Sequence, residues 1–154
     1  MKAAVRFVNV CLVCCVLSSA LSGCVLVPFI QAFKEAGATE GDRKTLLAAD
    51  VKKFCDAVIW GNRTEALSLV VDEARDPIGA QLRSAAEEEK IVDSKVDEIQ
   101  WGDGALTAKA FVKVRFYKIP FYVVKTRVEE QHWEFASGSG WRMTAREVGE
   151  TKNS

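Results

Sequence analysis

The chain has 154 residues in which 21 Lys and Arg balance 21 Asp and Glu, so its net charge is zero. Neither a basic nucleic-acid surface nor an acidic interaction tail is written into that balance. The five cysteines and single histidine are the only thiols and imidazole available to any catalytic or metal chemistry.

Lys2 and Arg6 form a short positive start, and the run from Phe7 to Leu21 is mostly Val, Leu, Cys and Ala. A charged then apolar beginning of this kind is a targeting segment, to be set aside from fold reasoning. Arg6, Asn9, the serines and Pro28 make it a poor spanning helix, which needs about 20 apolar residues. The run closes on Leu21-Ser22-Gly23-Cys24.

That closing motif resembles the lipobox of bacterial lipoproteins. The resemblance implies that Leu21, Ser22 and Gly23 are read by the signal peptidase and that residues 1–23 are removed. It implies too that Cys24, lipidated with fatty acyl chains such as palmitate, becomes the first mature residue. Each buried methylene contributes about 0.8 kcal/mol, so two or three chains suffice to hold a protein to a membrane. In enterobacterial lipoproteins an aspartate after the lipidated cysteine resembles an inner-membrane retention signal. Val25 stands there instead, which implies the periplasmic face of the outer membrane.

Residues 24–154 then form one domain of ordinary size. Loss of Lys2 and Arg6 with the leader leaves the balance close to neutral. Cys11, Cys14 and Cys15 leave too, so Cys55 is the one free thiol. No internal disulfide can form, and one His with one Cys cannot build a zinc-type ligand set. No metal or other cofactor is expected.

Residues 24–42, with Gly37 and Gly41 and no sustained period, read as the lipidated cysteine and a tether. The domain proper is expected over 43–149. Leu47, Val51, Phe54 and Val58 fall on one helical face. Gly61 is a helix stop, and Asn62 with Glu65 opens a second helix in capping-box spacing. Asp76-Pro77 predicts the cap and first turn of a third helix running to about Lys90, with Glu87-Glu88-Glu89 as its solvated end.

From Ser94 the period becomes two. Val96, Ile99 and Trp101 belong to a first strand, and Gly102-Asp103-Gly104 turns the chain. Leu106, Ala108, Ala110, Val112, Val114 and Phe116 form the apolar side of a long second strand. Ile119-Pro120 interrupts it, and Phe121–Ala136 returns with Gln131, Trp133 and Phe135 on one face. After Ser137–Gly140, Trp141, Met143 and Ala145 alternate on a last strand. The chain end, 150–154, reads as a disordered tail.

The expected fold is α+β: three N-terminal helices on a curved antiparallel sheet of about four strands. Phe54-Cys55-Asp56-Ala57-Val58 with Gly61-Asn62, Gln131-His132-Trp133-Glu134-Phe135 and Gly140-Trp141-Arg142-Met143 resemble the nuclear transport factor 2-like superfamily, a cone-shaped fold. The short hairpin usual between its second and third helices has no counterpart around Glu73–Gly79. The resemblance implies a pocket between helices and sheet, which in enzymes of the superfamily holds an Asp or His base.

No catalytic set assembles from the residues. His132, by alternation, faces away from Trp133 and beside Glu130 and Glu134. Cys55 lies next to Phe54, where a free cysteine behaves as a small apolar residue. Lys109, Lys113 and Arg115, with Lys125 and Arg127, read as a charge ladder paired with Glu129, Glu130 and Glu134. Tyr117, Tyr122, Gln131 and His132 are the candidate pocket or interface residues. The leading expectation is a non-enzymatic, membrane-anchored binding or accessory module for a protein partner or small apolar ligand. A small isomerase or dehydratase using a pocket His132 and a carboxylate is the alternative. Phe111 and Tyr117 on a polar face raise a homodimer through the open sheet as a third possibility.

Overall fold

The computed structural model describes residues 30–149. The expected leader 1–23 with Leu21, Ser22 and Gly23, Cys24 and the expected tail 150–154 lie outside the described residues. After a helical segment at residues 30–35, the helices α1 (Glu40–Ile59), α2 (Arg63–Ser68) and α3 (Asp72–Glu88) precede four strands. The strands are β1 (Glu89–Trp101), β2 (Thr107–Lys118), β3 (Lys125–Ala136) and β4 (Gly140–Val148). They form one antiparallel meander in the order β1-β2-β3-β4. The architecture is α+β with the helices packed on one sheet face.

Residues 30–35, read above as part of a structureless tether, are helical. Thr39, also assigned to the tether, caps α1. Its hydroxyl accepts from the Asp42 amide while the Asp42 carboxylate accepts from the Thr39 amide, a reciprocal box that satisfies two end donors. The domain therefore begins slightly before residue 43. Leu47, Val51 and Phe54 are buried as the helical period requires. Gly61, at φ +72°, ends α1: its amide bonds Val58 O and the next, from Asn62, bonds Ala57 O. That pattern needs the left-handed backbone glycine tolerates. Asn62 caps α2 through the Glu65 amide as expected.

The third helix differs from expectation. It starts at Asp72, not Asp76, and Pro77 sits inside it. Pro77 is exposed and near the helix start, where a proline forgoes one backbone hydrogen bond without a buried loss. Glu89 is also misplaced by the sequence reading. It opens β1, which starts five residues before Ser94, and its carboxylate is mostly covered.

On β2 every second residue from Ala108 to Phe116 is buried. Leu106 lies outside the strand and is about half exposed. β3 is shorter than expected, because residues 119–124 are not in the ladder. The largest correction falls on β4. His132 pairs with Ala145 but Trp133 pairs with Met143, so one extra residue, Thr144, is inserted in β4. A bulge of this kind inverts the alternation beyond it. Arg146, not Ala145, consequently turns inward and is 5% exposed.

The core joins α1, α2 and α3 to the inner sheet face through Leu47, Val51, Phe54, Ile78, Leu82, Trp133, Trp141 and Met143. Phe54 meets Trp133 edge-on at 6.3 Å. One end is closed by aromatics: Trp141 packs against Trp101 and Phe135, and its indole N–H donates to Arg43 O at 2.8 Å. The Arg43 guanidinium in turn donates to Gly104 O and Gly37 O, fixing the start of α1 to the β1–β2 turn. The free edge of β4 is covered by the α2–α3 link, where Met143 exchanges backbone bonds with Leu69 and Val71. All buried core residues among those described lie between Leu47 and Met143, so residues 30–149 carry a core of their own.

Candidate functional site: a charged cleft at the open end of the sheet

The end opposite the aromatic closure is built differently. Here the start of β1, the end of β2, the start of β3 and the end of β4 come together beneath the C-terminal ends of α1 and α3. The gap between them is a cavity of about 370 Å³. Val58, Ile59, Leu82, Ala85 and Ile91 supply apolar wall, and Glu89, Arg127 and Arg146 supply the floor. A second opening of about 420 Å³ reaches the same floor from the α3 side, past Gln81.

The floor is a buried ion network. Arg146 binds Glu129 in a two-point grip, Nε to Oε2 at 2.9 Å and Nη2 to Oε1 at 2.7 Å. Arg127 donates from Nε to Glu129 Oε1 at 2.9 Å and from Nη1 to Glu89 Oε2. Gln81 accepts from Arg146 Nη1 at 3.2 Å, and Arg127 stacks over the Phe116 ring, 4.6 Å from its centroid. Two guanidinium groups thus meet two carboxylates, and the network is neutral. Burial alone would lower the Arg127 pKa, but Glu89 and Glu129 outweigh it and hold it above the ordinary value. Both guanidinium groups are occupied by these partners. At the rim, Arg63, Arg83 and Lys90 line the same cavity and make no ion pair among the described residues.

The four residues singled out from sequence do not form one site, although Tyr117 and Tyr122 meet. Gln131 is buried on the inner face, accepting from the Trp133 indole at 3.3 Å with its amide nitrogen 4.0 Å from Cys55 Sγ. It is core, between the two ends. Burial pushes the Cys55 thiol above its ordinary pKa. His132 is on the outer face, with Nε2 2.9 Å from Glu130 Oε1, although this buried nitrogen makes no aligned hydrogen bond. It borders a shallow outer depression of about 310 Å³ with Lys109, Thr107 and Thr144. Tyr117 and Tyr122 stack at 5.4 Å near the β2–β3 connection, and Tyr122 is 74% exposed.

The expected charge ladder also divides. Lys109 meets Glu130 at 2.8 Å, but Lys113 and Arg115 meet Asp97 and Asp93 of β1 rather than glutamates of β3. Glu129 and Arg127 leave the outer face altogether. Sequence reading missed Glu89, Arg127, Glu129 and Arg146 as a group. The signal for two of them was present: stepping back by two from Gln131 along β3 reaches Glu129 and then Arg127. Arg146 had no such signal, because its facing depends on the Thr144 bulge. Among the described residues no group of three or more His, Cys, Asp or Glu is placed to hold a metal ion.

No protein-family model matches this chain, and none of the curated proteins is detectably similar to it. Among solved structures, a SEC-C motif containing protein of Rhodopseudomonas palustris, determined in solution, is similar in fold. It aligns with a TM-score of 0.50 and 14% identity, over 62% of this chain and 72% of that one. A likeness at that identity extends to the α+β fold alone.

Proposed function

We propose that this chain is an envelope lipoprotein, anchored through lipid on Cys24, whose domain is a non-enzymatic binding module of the nuclear transport factor 2-like type. The observation that carries the binding reading is the cleft at the open end. At about 370 Å³ it lies within the range of roughly 300–1,000 Å³ typical of small-molecule sites. Its inner walls are apolar beneath a rim that carries Arg63, Arg83 and Lys90, and its buried charges neutralise one another instead of presenting a free base or nucleophile. A ligand with an apolar body is the occupant this lining suits. Three helices followed by a four-stranded meander support the cone-type assignment. The motif ending at Cys24 supports the anchor, and Val25 the outer membrane's periplasmic face.

The acid–base alternative rests on the approach of His132 to Glu130. The hydrogen bond from Lys109, first, and the neighbouring charges hold the Glu130 carboxyl below its ordinary pKa. A carboxylate so held is a weak proton acceptor, and the pair lies on the outer face, away from the cleft.

Native mass spectrometry of residues 25–154, purified gently from the periplasm, tests the binding reading. A reproducible excess mass lost on denaturation, and lost when Ala85→Trp fills the cleft at unchanged melting temperature, is the expected result. A bare mass under every condition, with no ligand-dependent rise in melting temperature, overturns it.

A further inference from the structure

The connection between β2 and β3 is Ile119-Pro120-Phe121-Tyr122-Val123-Val124, with no charged residue in it. Ile119, Phe121, Tyr122 and Val123 are 56%, 73%, 74% and 65% exposed. Contiguous apolar exposure of this kind marks a contact surface. These side chains sit at the tip of a hairpin, Tyr122 packed on Tyr117 of β2, a shape suited to entering a deformable medium. The strand ends beneath the tip are basic. Lys118 closes β2, Lys125 opens β3, and Lys90 pairs across from Tyr117. The acids beside them, Glu88 and Glu89, are taken up by Lys118 and Arg127. Lys90 and Lys125 make no ion pair among the described residues.

We infer that residues 119–124 are a membrane-contact tip that inserts into the interfacial layer of a bilayer bearing anionic lipids. Aromatic rings settle at the level of the headgroups, aliphatic side chains pass below it, and flanking lysines meet the anionic surface. The charge pattern chooses lipid over a second copy of this chain, since two such tips would bring like-charged lysines together. The tip and the start of α1 lie at opposite ends of β2, whose 12 residues span about 40 Å. With lipid on Cys24, the two contacts would hold the domain along the membrane, but the inference does not depend on that lipid.

The test uses residues 30–154, which lack Cys24 and retain the complete core. Flotation with vesicles of phosphatidylethanolamine and phosphatidylglycerol at 3:1 is compared with flotation on phosphatidylcholine alone. Binding to the anionic vesicles that falls at least tenfold in phosphatidylcholine, and in Phe121→Ser/Tyr122→Ser at unchanged melting temperature, is expected. Equal flotation of wild type and double variant overturns the inference, as does no flotation at any lipid ratio. So does sedimentation showing a dimer that the double variant abolishes, because the tip would then be a protein contact. None of these outcomes depends on whether Cys24 is lipidated or the cleft is filled.

Discussion

Arg146 on β4 reaches diagonally to Glu129 on the adjacent strand β3 with both guanidinium-to-carboxylate hydrogen bonds formed, at 2.9 and 2.7 Å, and both side chains almost wholly buried. Removing one partner of a buried ion pair strands the other charge in a poor solvent. Glu129→Ala leaves both Arg146 and Arg127 short of an acceptor, and is expected to destabilise the domain by about 3–5 kcal/mol. Urea unfolding of residues 30–154 at neutral pH measures it. A loss below about 0.5 kcal/mol would mean that water reaches the network.

The aromatic contact between Phe54 and Trp133 sits at the centre of the core. Phe54→Ala is expected to cost about 3–5 kcal/mol through lost transfer energy and the cavity left behind. Leu106→Ala, at a half-exposed position outside the strand, is expected to stay within about 0.5 kcal/mol. Equal effects at the two sites would contradict the burial pattern.

Cys55 is the sole thiol in residues 30–154, buried and with its pKa pushed up by that burial. Thiolate is the reactive form, so a disulfide reagent added to the native domain at pH 8 is expected to react only as fast as the domain opens. Addition of denaturing urea should raise the rate by orders of magnitude. Rapid modification of the native domain would place the thiol at the surface.

Lys109 and Glu130 shift each other's titration in opposite directions. Glu130, held below its ordinary 4.5, contributes stability that is present above that value and is lost as pH falls through the depressed one. Lys109, held above 10.5, contributes stability below that value that is lost as pH rises through the raised one. Lys109→Ala should return the Glu130 titration, followed by carboxyl NMR, upward toward 4.5. An unchanged titration would assign the shift to His132 instead.

For the proposed anchor, Cys24→Ala in the full chain is expected to abolish incorporation of radioactive palmitate. Persistent labelling would overturn the assignment of Cys24.

Much of the architecture follows from local chemistry. The period of Leu47, Val51 and Phe54 buries one helical face, Gly61 ends that helix, and the alternation from Ala108 to Phe116 turns one strand face inward. Each depends only on backbone periodicity or on glycine's access to positive φ. The facing of His132 away from Trp133 was readable for the same reason. Helix α3 was less so: proline and aspartate suggest a start at residue 76, but burial of Ala74 and Ile78 extends the helix back to Asp72.

The sequence by itself determined the α+β order of elements and most apolar core positions, Leu106 and Ala145 excepted. Only the tertiary structure decided the cleft. Glu89 had to leave a helix end for a strand, and one inserted residue, Thr144, had to turn Arg146 inward. Glu129 and Arg127 had to be drawn beneath α3. Alternation along β3 turns Glu129 and Arg127 inward, whereas the local pattern of Glu89 and Arg146 favours solvent, and each of the four is held inside because the others satisfy its hydrogen bonds. That satisfaction is a property of four residues from three strands meeting in space, which no local period along the chain encodes.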